Sequence, residues 1–121
     1  MATQEVATKL VHLCREGKNA QAIKELYADH IISKEPLGSG RELAEGKLAI
    51  ENKSKVRLES IAQIHGVKVS DPIVSGDFFA CTMDMDITYK QLGRLAMSEL
   101  CVYQVKDGKI VFEEFLYTLT S

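Results

Sequence analysis

Near residue 60 the hydrophobic pattern changes period, and that change restricts the chain to one fold class. Before it, apolar residues recur at helical spacing: Val6, Leu10, Leu13 and Cys14, then Ile23, Leu26 and Tyr27. After it they alternate, most clearly in Phe79, Cys81, Met83, Met85 and Ile87. A period of about 3.6 marks the apolar stripe of a helix, and a period of about two marks one face of a strand. Helices first and consecutive strands after predict an α+β fold, with N-terminal helices packed on a strongly curved antiparallel sheet. The concave face and the helices would enclose a cone-shaped cavity.

Turn residues divide the pattern further. Thr3 is a candidate N-cap for the first helix and Gly17 its stop; Asn19 is a candidate cap for the second. His30 to Lys34 reads as a short strand ended by Pro36, and a glycine-bearing loop (Gly38, Gly40) leads to a third helix from about Gly46 to Leu58. Strands follow at Ile61 to Val69, Ile73-Val74, Phe78 to Thr88, Leu95 to Val105 and Ile110 to Leu119. The Asp107-Gly108 pair between the last two predicts a type I′ hairpin. No linker or repeat divides residues 1–121, which read as one domain.

Composition narrows the function classes. Fifteen Lys and Arg against seventeen Asp and Glu leave a net charge of −2, and Trp is absent. A nucleic-acid partner is therefore not expected. No apolar run approaches the roughly 20 residues of a membrane span, and the opening MATQEVATKL lacks the pattern of a secretory signal. Cys14, Cys81 and Cys101 are odd in number and form no C-x-x-C pair, so they read as small buried hydrophobes in a reducing cytoplasm.

Carboxylates that interrupt the apolar pattern are the candidate site. On Leu95 to Val105 one face carries Leu95, Met97, Glu99, Cys101, Tyr103 and Val105. If that row faces the cavity, Glu99 faces it too, and desolvation favours its neutral form. Such an acid can donate a hydrogen bond or shuttle a proton. The other reading of this row is a solvated face, or a Glu99 neutralised by Lys or Arg at a dimer interface. Glu35, at a strand end before Pro36, sits where a general base could reach a ligand. His65 shares an alternating face with Ile61, Val67 and Val69, and reads either as a base or anchor or as a satisfied core histidine. Tyr27, Tyr103 and Tyr117 each offer a phenolic donor or a core ring. Asp84 and Asp86 fall on the outer face, and Glu113-Glu114 put one acid on each face of the last strand. The histidines show no metal-ligand spacing.

The segment Leu26-Tyr27-Ala28-Asp29-His30, followed by Glu35-Pro36-Leu37-Gly38-Ser39, resembles the start of ketosteroid isomerases and their relatives. Gly46 to Ile50 resembles the third helix of that group. Glu99 to Tyr103 and Lys106 to Val111 resemble the last hairpin of the SnoaL-like and nuclear-transport-factor-like superfamily. His65-Gly66-Val67 and Met83 to Asp86 resemble small bacterial SnoaL-like proteins. The resemblance implies a cystatin-like α+β cone. It also implies Glu35 in the place of the isomerase's proton-abstracting acid and Glu99 in that of its protonated oxyanion donor, the worked case of a carboxylic acid kept neutral. The family's tyrosine donor on the first helix falls at Leu10, which cannot donate.

The expected function is cofactor-free proton transfer (isomerase, dehydratase or cyclase type) on a small apolar molecule. Glu35 and Glu99 would be catalytic, and His65, Tyr27, Met97, Tyr103 and Tyr117 ligand-binding. The alternative is a non-catalytic ligand-binding or dimeric interaction module. A homodimer is expected in either case.

Overall fold

The computed structural model describes residues 1–119. Helices α1 (Thr3–Arg15) and α2 (Asn19–Leu26) lead into strand β1 (Tyr27–Lys34). Strand β2 (Leu43–Glu45) and helix α3 (Lys47–Ser60) follow, then β3 (Ile61–Val69), β4 (Ile73–Ser75), β5 (Phe78–Tyr89), β6 (Gly93–Lys106) and β7 (Lys109–Leu116). The strands form one sheet in the order β2-β1-β7-β6-β5-β3, with β4 also on β5. β4 pairs with residues 78–80 and β3 with residues 83–89 of the same β5 edge, so Asp71-Pro72 interrupts one long edge. The helices pack on one face of this curved sheet, as the change of period predicts.

One pairing departs from an antiparallel meander. β1 runs parallel to β7, with Ser33 opposite Glu113, so the sheet is mixed. Parallel neighbours need a long connection, and here α3 and β3 to β6 supply it. β1 also begins at Tyr27, directly after α2, and β7 closes at Leu116 rather than Leu119.

The helix ends differ in part from expectation. Thr3 and Asn19 are the first helical residues, and Ala2 and Lys18 occupy the cap positions without a side-chain cap. Glu5 accepts from the Ala2 N–H (3.2 Å). The stop of α1 is as expected: Gly17 takes a positive φ of 74°, Lys18 N–H donates to Leu13 C=O and Gly17 N–H to Cys14 C=O, a Schellman closure. Asp107 and Gly108, with φ of 53° and 76°, make the expected tight turn.

The core lies between α1, α2 and the inner sheet face. Leu10, Leu26, Ile31, Phe79, Tyr103 and Ile110 are among its most deeply buried large side chains. Cys14, Cys81 and Cys101 are free and buried within it, and burial pushes the Cys14 thiol up to about 12. Helix α3 contributes one buried residue, Ile50. Among the described residues no helix is long and apolar enough to cross a membrane.

Candidate functional site

The inner sheet face changes character along its length. Under α1 and α2 it is packed solid, with the Phe79 and Tyr103 rings stacked at 4.6 Å. Towards α3 it turns polar. Alternation on β6 buries Cys101, Tyr103 and Val105 and turns Glu99 and Met97, both half-buried, to the same side. Alternation on β1 turns Tyr27, Ile31 and Ser33 inward, and Glu35 continues that row just past the strand end. Glu35 is held inside, with 8% of its side chain exposed.

Cations from two other elements meet these acids. Lys53 on α3 reaches Glu35 Oε2 at 2.9 Å and Ser33 Oγ at 3.3 Å. It also lies over the Phe115 ring, 5.7 Å from its centroid. Arg41, in the loop before β2, approaches Glu35 Oε1 at 3.5 Å. The Tyr117 hydroxyl donates to that same oxygen at 2.7 Å. Arg57, one helical turn beyond Lys53, rests on Met85 of β5, with Nη2 3.3 Å from the sulfur. Residues four apart on a helix share a face, so α3 presents a basic stripe to the sheet.

Glu99 opposes Met83 in the sheet register. Burial raises its carboxyl above the usual range; Arg57, Arg41 and Lys53 pull it down, and Glu35 pushes it up. No hydrogen bond from the described residues engages it. Glu99 and Tyr117 share the wall of a depression of about 610 Å³ with Pro36. That depression opens past Thr82, Leu100 and Leu116 of the outer face rather than into an enclosed cone.

A second buried acid lies behind the site. Glu113 is 1% exposed and bonds to the hydroxyls of Tyr27 and Ser33, the latter at 2.7 Å. Burial raises it, against the two hydroxyl bonds. Ser33 thus links Glu113 to Lys53, and Lys53 links onward to Glu35. Glu114 faces the other way, as the alternation requires.

The geometry brings together Glu35, Glu99, Met97 and Tyr117, and not the other three expected residues. His65 is exposed on the outer face, its Nε2 2.7 Å from Thr88 Oγ1. Register shifts in β3, between Ile61 and Gln63 and between Ile64 and Gly66, are the cause. Each bulge reverses the parity of the alternation, so Ile64 shares the face of Val67 and the buried Val69, although Ile64 and Val67 are themselves exposed, while His65 turns to the other side. Tyr103 and Tyr27 stand in the packed core, 1% and 6% exposed. There a phenol fills space and meets a buried partner instead of a ligand. Leu10 is likewise core, 1% exposed. Lys53, Arg57 and Arg41 join the site without standing out in the sequence. The signal for the first two was their four-residue spacing in a helix whose apolar pattern is weak.

The profile of a SnoaL-like domain matches residues 1–117. A Mesorhizobium loti protein, provisionally described as a SnoaL-like polyketide cyclase or carbohydrate phosphatase, is 37% identical. Its structure superposes with a TM-score of 0.91, over 97% of this chain and 100% of that one. A cystatin-like-fold protein of unknown function from Xanthomonas campestris superposes with a TM-score of 0.81 at 17% identity, over 98% and 92% of the two chains. A nuclear-transport-factor-2-like protein from Burkholderia pseudomallei gives 0.79 at 12% identity, over 98% and 92%. The last two establish the fold alone. A comparison with curated proteins gives no match.

Proposed function

The chain belongs to the SnoaL-like domain family, and we propose that it moves a proton on a small, mostly apolar carbonyl compound without a cofactor. One observation carries the reading. Two carboxyl groups lie near each other at the polar end of the inner sheet face: Glu35, tied into ion pairs and bonded to Tyr117 of the depression wall, and Glu99, partly desolvated, without a hydrogen bond from the described residues and pushed up by the Glu35 charge. Unlike environments separate the two groups into base and acid.

Glu35 is the base. A carboxylate has roughly four acceptor sites. Tyr117 and Arg41 occupy Oε1 and Lys53 takes one site on Oε2, which leaves a lone pair on Oε2 to accept a proton from carbon. Glu99, its carboxyl pushed towards the neutral form by burial, donates to the carbonyl oxygen as the C–H electron pair moves towards that oxygen. Lys53 and Arg57 stabilise the enolate in a site where water screens little. Return of the proton to another carbon completes an isomerisation; loss of a leaving group completes a dehydration. Met97 supplies apolar floor.

The second reading is a non-catalytic binding module. It is favoured by the number of partners on Glu35, which hold that carboxylate as a structural counter-ion. Either role is performed by a cytoplasmic homodimer, consistent with three free buried thiols and an apolar outer sheet face.

The test is solvent deuterium exchange at the methylene of phenylacetone, followed by proton NMR. The wild type is expected to accelerate exchange over buffer, and Glu35→Gln and Glu99→Gln to lose about a hundredfold or more of that acceleration. Acceleration unchanged in both variants, or none in the wild type, would reject proton transfer and leave the binding module.

A further inference from the structure

The charges at this end of the sheet do not pair off. Glu35 takes Lys53 at 2.9 Å and Arg41 at 3.5 Å. Arg57 has no acid within ion-pair distance among the described residues, although the residue is half-buried. Its contact is the Met85 thioether, a weak acceptor, whereas a guanidinium offers five N–H donors in a fixed fork. The nearby Glu99 feels the Arg57 charge but makes no bond to it, so the fork of donors over an apolar floor is free to take a planar anionic group. Glu99 is the other ionisable group there without a protein hydrogen bond.

The sheet register sets the spacing. Met85 pairs with Met97, and the next inward pair is Met83 with Glu99. Two residues along a strand advance roughly 6.6 Å. Glu99 stands diagonally across the β5–β6 pair from Met85, so the fork and the carboxyl are offset by roughly 7–8 Å, about the width of one ring. Between them lie two thioethers, polarizable and adaptable surfaces for an aromatic or alkenyl body.

We propose that Arg57 anchors an anionic oxygen of the ligand, so that the inner sheet surface between Arg57 and Glu99 selects organic acids with a flat apolar body over their neutral counterparts. The anion is a carboxylate, enolate or phenolate; the shared chemistry is a delocalised negative oxygen one ring away from the position that meets Glu99. This deepens the proton-transfer reading by naming the substrate class, and rests on it only for the reaction, not for the binding.

The experiment is calorimetric titration of the protein near neutral pH with 2-naphthoate and with its methyl ester. The acid is expected to bind about tenfold or more tighter than the ester. Arg57→Met, which keeps the length of the side chain and removes the charge, is expected to weaken the acid by at least about that factor and leave the ester unchanged. Arg57→Lys should restore part of the preference, because the charge returns without the fork. Circular dichroism of each variant confirms the fold. Equal binding of acid and ester by the wild type, saturable binding of neither at millimolar concentration, or a preference untouched by Arg57→Met would each overturn the anchor. Failure of the proton-transfer reading shows elsewhere: deuterium exchange would be absent while the preference for acid, and its loss in Arg57→Met, persist.

Discussion

Glu113 sits where a carboxylate is least comfortable, beneath Tyr27 and Ser33 with almost no exposure. Burial raises its pKa above the ordinary 4.5, and neither hydroxyl bond cancels that. The consequence for stability has a definite sign. Above 4.5 the unfolded carboxyl has lost its proton while the folded one keeps it, so the folded state binds more protons and stability falls as pH rises. The contribution is complete below that value and is lost as pH climbs through the folded value. Glu99, raised for the same reason, adds a slope of the same sign. Glu113→Gln removes one of the two ionisations and keeps an oxygen for Tyr27. Thermal melts at a series of pH values from about 4 to 8 should therefore fall less steeply for the variant than for the wild type. A wild-type melting temperature that gains on the variant as pH rises would mean that Glu113 is stably ionised. The same residue explains why Lys53 stays in place: Ser33 bonds to both.

Helix α3 holds the basic stripe, yet it is fastened by little. Ile50 is its one buried residue, while Leu48, Val56 and Leu58 are 71%, 66% and 49% exposed. Ile50→Ala should cost about 2–4 kcal/mol, as for other buried aliphatic truncations. It should also loosen Lys53 and Arg57 from the sheet, so urea unfolding and naphthoate binding should both weaken. Loss of stability with binding intact would place the stripe under the control of the Lys53 ion pair instead. This helix also marks how far the sequence could be read. Its length and position were legible from Gly46 and the weak helical period, but its role was not: a face made of Lys53 and Arg57 carries no apolar signal. On β6 the clean alternation from Leu95 to Val105 put Glu99 on the face of Cys101 and Tyr103, but left open whether that face was the inner one. On β3 the same logic failed for His65, because a bulge changes parity without a distinctive residue to announce it. The parallel join of β1 to β7 was equally hidden, since residues 80 apart in the chain meet there without any local turn to signal it.

At the scale of the whole molecule, the outer sheet face is the large surface without a covering layer. Cross-strand rows run across it: Ile32, Phe112, Gln104 and Phe78 in one, Leu116, Leu100 and Thr82 in the next. Ile32, Phe78, Leu100 and Leu116 are 39%, 49%, 43% and 42% exposed. The chain exposes 7366 Å², whereas a compact monomer of its mass would expose about 6,500 Å². The surplus, about 800 Å², is what one partner gives to a standard-size interface. Exposed apolar residues gathered on one uncovered sheet face mark an association site, and a closed pair of identical faces is the commonest solution. Sedimentation equilibrium at micromolar concentration should therefore give a dimer. Leu100→Lys combined with Leu116→Lys should give a folded monomer, since both side chains point away from the core and burying two lysines across a self-complementary patch is unfavourable. The depression walled by Glu99 and Tyr117 opens past these same leucines, so dimerisation would also roof it. The monomeric variant should then bind naphthoate several-fold more weakly while its secondary structure is unchanged. A wild-type monomer, or a double variant that still dimerises, would remove the outer face as the interface.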